Sequence, residues 1–212
     1  HHTVIAVSRN KKRLDELKNR LIMEAPSVKL LVKVLDLTVE SELKSFIAWF
    51  EESFSSLDIL VNNAGYLENE DFGSMDYSQA EKIFNVNYFA PAMLIKGLAA
   101  RLAGADKAHV VNIGSMGGFP GSVKLPGLSH YSASKAALAV LTECLAVEYN
   151  QTGIAFNCLA IGSVSTGMLN EAFPGYDAPV KPEDMADFIY DFAVNGHRFM
   201  NGKILPVALS TP

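Results

Sequence analysis

Tyr131 and Lys135 stand four residues apart in the run Tyr131-Ser132-Ala133-Ser134-Lys135. On a helix that spacing puts both on one face, one turn apart. An ammonium held there favours a phenolate, so it would pull the tyrosine pKa down from about 10. Tyr131 is then a candidate acid/base for exchanging a proton with a carbonyl oxygen. The alternative for the pair alone is a surface tyrosine beside a solvated lysine. The elements that position the pair have to decide.

Strand and helix patterns alternate along all 212 residues. Short β-branched or apolar runs at 3–8, 28–35, 58–61, 109–113, 154–159 and 203–209 read as strands. Helical patterns fall at 11–23, 40–54, 77–103, 131–149 and 182–195, the last with Pro182 in its first turn and Gly196 at its end. This order predicts a single-domain α/β fold over 1–212, a three-layer, doubly wound parallel sheet of Rossmann-like type. The longest irregular stretches, 116–130 and 162–181, both follow strands at their carboxyl ends, where such folds put ligands.

Composition narrows the functional classes. Hydrophobic residues make up 49%, charged residues 19%, and the net charge is −5. No basic stripe points to nucleic acid, and no apolar run is long enough for a membrane span. Cys144 and Cys158 lack metal or redox spacing and read as small hydrophobes of a reducing, cytoplasmic compartment. His109, His130 and His197 are isolated, so no metal site is expected.

Several polar residues gather on the carboxyl edge of the expected sheet. Asn63, Ala64 and Gly65 follow one strand, and Ser115 follows the next. Each alone could be an ordinary turn or cap. The helix over 77–103 adds an apolar stripe of Ala80, Ile83, Phe84, Asn87, Pro91, Leu94, Ile95 and Leu98. Asn87 is the polar member of that inward face and needs partners. Pro91 has no N–H for the Asn87 carbonyl, so a kink and a free carbonyl are expected there. A path from Asn87 through a water to Lys135, behind Tyr131, follows as a hypothesis. The alternative is a structural kink with Asn87 capping a neighbouring strand.

Taken together, Asn62-Asn63-Ala64-Gly65, Asn85-Val86-Asn87, Asn112-Ile113-Gly114-Ser115, the Tyr131–Lys135 run and residues 157–166 resemble the short-chain dehydrogenase/reductase family, in order and spacing over almost the whole chain. The resemblance implies an enzyme acting on an alcohol/carbonyl pair of a small-molecule substrate. It implies a catalytic set of Asn87, Ser115, Tyr131 and Lys135, with Ser115 holding the substrate oxygen and Tyr131 exchanging its proton. Lys135 would lower the Tyr131 pKa and bind the nicotinamide ribose, and Asn87 would anchor a relay water. Asp36 and Leu37 would touch adenine, and Asn63, Ala64 and Gly65 the adenosine ribose side. Ile161, Gly162, Val164 and Thr166 would hold the carboxamide. Ser8 and Arg9 follow the first strand where an acidic residue would select NAD, and a guanidinium suits a 2′-phosphate, so NADP is favoured over NAD.

Departures from the family pattern qualify this. The Gly-rich phosphate loop, the strand before it and most of the helix after it are absent from the sequence, which suggests that the protein is longer. Ile161-Gly162 replaces the family's Pro-Gly, so φ is no longer fixed there. A non-catalytic dinucleotide-binding or scaffold protein of the same fold is the competing reading. The helix over 131–149 is apolar nearly all round, which suggests burial on two sides and, with the resemblance, a homodimer or homotetramer.

Overall fold

The computed structural model describes residues 2–25 and 27–209. Its internal contacts divide the chain into two compact units, one running through Phe50 and the other from Glu51.

In the first unit, β1 (Thr3–Ser8) and β2 (Lys29–Val34) pair in parallel, with Thr3 opposite Lys29. Between them runs α1 (Lys11–Glu24), opened by Asn10, whose side chain accepts from the Arg13 N–H. The helix α2 (Glu40–Ser53) begins with Glu40 and Glu42, carboxylates that suit the positive end of a helix dipole. Leu14, Leu35, Leu43 and Phe50 are buried.

The second unit contains β3 (Ile59–Asn62), α3 (Tyr77–Phe84), α4 (Ala90–Ala103), β4 (Ala108–Ile113) and α5 (Ser129–Glu148). It continues through β5 (Ile154–Ile161), α6 (Gly167–Ala172), α7 (Pro182–Asn195) and β6 (Lys203–Val207). Its strands form one parallel sheet in the order β3-β4-β5-β6. Strand residues alternate between two cores. Ala108, Val110, Ile154 and Phe156 meet Ile95, Leu102 and Ala146 of α4 and α5. Val111, Ile113 and Leu159 meet Phe192 and Ala193 of α7. Helices thus cover both faces, which is the three-layer, doubly wound arrangement expected. Both faces being covered explains why every residue of β4 is buried.

Two elements differ from expectation. The continuous helix over 77–103 is α3, a π-helical turn over Asn85–Phe89, and α4. The Ala90 N–H reaches back five residues to the Asn85 carbonyl, so a register shift precedes Pro91. The stretch 162–181 is also not wholly irregular. It holds α6, opened by Thr166, whose hydroxyl accepts from the Leu169 N–H. Among the described residues no helix is long and apolar enough to cross a membrane.

Candidate active site

The site is built where β3 and β4 end and α5 begins. Asn87 is fully buried within the π-helical turn. Its Oδ1 accepts from the Tyr66 N–H at 2.8 Å, and its Nδ2 donates to the Tyr66 carbonyl at 2.8 Å. The carboxamide thereby pairs with the main chain just past Gly65 as a strand neighbour would. Nδ2 also donates to Ser134 Oγ at 3.0 Å, and that hydroxyl donates to the Tyr131 carbonyl at 2.7 Å. Asn87 therefore ties the loop after β3 to the first turns of α5.

Ser115 follows β4 in extended backbone, and its Oγ accepts from the Gly117 N–H at 3.1 Å. The loop is pressed onto α5 at Gly118, where an added Cβ would meet the Ala136 nitrogen at 2.6 Å. Only a residue without a side chain allows that approach. The contact brings Ser115 to Tyr131. Burial pushes the Tyr131 phenol up, while a hydrogen bond with the Ser115 side chain pulls it down.

Lys135 is buried, and its Nζ donates to the Ile113 carbonyl at 2.8 Å. Burial brings its ammonium down to about 8, with Cys158 nearby acting in the opposite sense. The same burial pushes the Cys158 thiol up to about 11. Lys135 Nζ lies 6.0 Å from the centre of the Tyr131 ring. The expected lowering of the Tyr131 pKa by Lys135 is not met here. Desolvation outweighs the Ser115 hydrogen bond, and the Lys135 ammonium is aimed at a main-chain carbonyl.

Gly65 borders this group. A Cβ placed on it would lie 3.6 Å from Lys135 Nζ and 3.7 Å from Asn87 Oδ1. Asn63 and Ala64, beside it, are exposed. At the end of β5, the Gly162 N–H donates to the Val207 carbonyl, Val164 bridges to Val180, and Thr166 caps α6. Ile161 and Gly162 are half-buried.

The remaining expected residues lie in the first unit. Ser8 Oγ accepts from the Asn10 N–H. Arg9 pairs with Asp36 at 3.8 Å and stays largely exposed. Asp36 Oδ1 accepts from the Thr38 N–H and hydroxyl, and these bonds hold its carboxyl below the usual range against burial, with Arg9 adding a lesser lowering. Leu37 is half-buried beside it.

Asn62, Asn112 and Ser134 stand within the quoted motifs, but the sequence assigned them no role. Asn62 Nδ2 donates to Asn112 Oδ1 at 2.7 Å, and Asn112 Nδ2 donates to Thr142 Oγ1 at 2.9 Å. This buried chain locks β3, β4 and α5 in register beneath the site. Two asparagines at strand ends on one sheet face were the available signal. Ser134 and the Ile113 carbonyl had none beyond their neighbours.

Comparison with known proteins agrees with this architecture. The short chain dehydrogenase family model matches residues 1–177. The chain belongs to that family and is an oxidoreductase of the short-chain dehydrogenase/reductase type. An uncharacterised oxidoreductase of Staphylococcus saprophyticus is 27% identical over 184 residues, covering 87% of this chain and 77% of that protein. An uncharacterised NAD-dependent oxidoreductase of Mycobacterium tuberculosis is 29% identical over 205 residues, covering 87% and 74%. Among solved structures, levodione reductase superposes with a TM-score of 0.85 at 21% identity, covering 97% of this chain and 86% of that one. A short chain dehydrogenase from Escherichia coli, solved with NADPH, gives 0.86 at 25% identity, covering 96% and 85%.

Proposed function

We propose that the protein is an NADP-dependent oxidoreductase that interconverts an alcohol and a carbonyl, with Tyr131 as general acid/base. The observation that carries this is the hydrogen bond between the half-buried Ser115 hydroxyl and the half-buried Tyr131 phenol, one helical turn from the Lys135 ammonium. A carbonyl oxygen held by Ser115 would sit within reach of the phenolic proton. Desolvation keeps that phenol protonated at neutral pH, as an acid in the reducing direction must be. Lys135 holds a positive charge close by, and Asn87 fixes the loop and helix that carry the pair.

A nicotinamide cofactor suits the residues around Lys135. Gly65 leaves bare main chain beside Lys135. An ammonium has three donors, so Lys135 can take ribose hydroxyls besides the Ile113 carbonyl. Asn63 and Ala64 would lie along the adenosine ribose side, and Ile161, Gly162, Val164 and Thr166 along the carboxamide. Asp36 and Leu37 would meet adenine. Ser8 and the exposed Arg9 guanidinium would hold a 2′-phosphate, which favours NADP over NAD. When bound, the cofactor supplies or accepts the hydride.

Two further readings have support. Val140 and Val147 of α5 are 55% and 72% exposed, an apolar face suited to a homodimer or homotetramer. Sedimentation showing a monomer would end that reading. Both cysteines are free, which suits a cytoplasmic setting.

The experiment is turnover of a carbonyl panel with NADPH by the wild type and Tyr131→Phe. The variant should bind NADPH and lose about 10²–10⁴-fold in rate. Full turnover in the variant refutes the role of Tyr131. Binding without turnover in the wild type would favour a non-catalytic dinucleotide-binding protein.

A further inference from the structure

Residues 165–179 leave the sheet and return to it as a flap. Its ends are closed by the Val164–Val180 bridge and by the Ser165 N–H donating to the Val180 carbonyl at 2.9 Å. A segment of this length with its ends together is an Ω-like excursion. Its one helix, α6, has no buried residue. It nevertheless reaches the edge of the proposed site through Met168. The Met168 methyl lies 3.6 Å from the place where a Gly65 Cβ would stand, the same place that lies 3.6 Å from Lys135 Nζ. Ala178 is the one buried residue between 165 and 179, so little apolar burial holds the flap down and opening costs little.

At the far end of α6, Asn69 Nδ2 donates to the Ala172 carbonyl at 2.9 Å. Asn69 is itself held by the loop before α5. The Glu70 N–H donates to the Gly127 carbonyl at 3.1 Å. Gly127 has φ +79, and a Cβ there would overlap the Asn69 carboxamide oxygen. Gly127 therefore meets two demands, a left-handed backbone and the space in which Asn69 lies.

We infer that Asn69 is a positioning residue that latches the flap 165–179 over the Lys135 and Asn87 end of the site. The inference rests on the proposed catalytic reading for what the flap covers, but not for the latch itself. Opening the latch admits substrate, and closing it excludes water from the Tyr131 proton.

Hydrogen exchange on the full chain tests this. The reporters are the amides of Asn170 in α6 and of Phe173 at its C-cap, bonded to the Thr166 and Leu169 carbonyls at 3.0 and 2.8 Å. Asn69→Asp keeps the side-chain volume and removes the donor, Asn69→Ala removes both, and Gly127→Ala displaces the side chain. Each should speed α6 exchange roughly fivefold or more, the effect of one lost neutral hydrogen bond, and leave β4 and β5 amides unchanged. For a carbonyl that the wild type reduces, KM should rise in Asn69→Asp with kcat nearly kept. Unchanged α6 exchange in the Asn69 variants, or acceleration shared equally by β4 and β5, overturns the latch. Absence of wild-type turnover would refute the catalytic reading alone, because exchange still reports on the latch.

Discussion

At Lys135, burial and chemistry oppose each other. In the proposed mechanism its ammonium is worth most when charged, and its surroundings make that charge costly. Burial brings it down to about 8, so it is charged below that pH and neutral above. Tyr131 is shifted the other way and stays a phenol through the same range. Carbonyl reduction should therefore be level through neutral pH and fall on the alkaline side with a midpoint of about 8. A pH–rate profile with saturating NADPH checks this. Lys135→Arg, whose guanidinium does not titrate there, should be slower at neutral pH but lack the alkaline limb. A wild-type profile that stays level to about pH 10, the ordinary lysine range, would show that Lys135 ionisation is not required.

At the scale of elements, the π-helical turn decides where the polar groups go. Pro91 could have been met by a kink or by a register shift, and sequence alone does not choose. The register shift found here goes with a long-range partner, Tyr66, 21 residues away, whose main chain the Asn87 side chain clasps. Strands and most helices were legible because burial imposes a period, as in β4 and β5, whose alternate residues feed two cores. The helix α6 was not legible, since a helix with no buried residue leaves no apolar stripe. The partner of Lys135 was not legible either, because every residue offers a main-chain carbonyl. Tyr131, Ser115 and Asn87 were legible as types at spacings, and their contacts through Ser134 were not. Asn87→Ala should leave the half-buried Tyr66 N–H and carbonyl unpaired. A loss of about 2–4 kcal/mol in denaturant unfolding is expected, with turnover falling at least tenfold as the loop and α5 lose register. A variant as stable and active as wild type would mean that the clasp is dispensable.

For the molecule as a whole, His109 couples folding to acid. It is 1% exposed on β4 and lies at the opposite end of the strand from Ser115. Its Nδ1 donates to the Ala193 carbonyl in the last turn of α7, and its Nε2 accepts from Asn157 Nδ2 on β5, both at 2.9 Å. Asn157 cannot reverse its amide, because Nδ2 also donates to the Met200 carbonyl and Oδ1 accepts from the Lys203 N–H. A proton on Nε2 would therefore face another N–H. Burial lowers the His109 pKa to about 4, against the Ala193 bond, with His197 adding a further lowering. The unfolded chain, titrating near the ordinary value of about 6.5, binds a proton that the folded chain refuses. Stability from this group is complete above about 6.5 and is lost as pH falls towards about 4. Unfolding midpoints should accordingly drop over that window. His109→Gln should be less stable at pH 7 and show a flatter dependence between those limits. An equally steep dependence in the variant would assign the acid sensitivity to other groups, such as His197, whose ring lies 5.7 Å from that of His109.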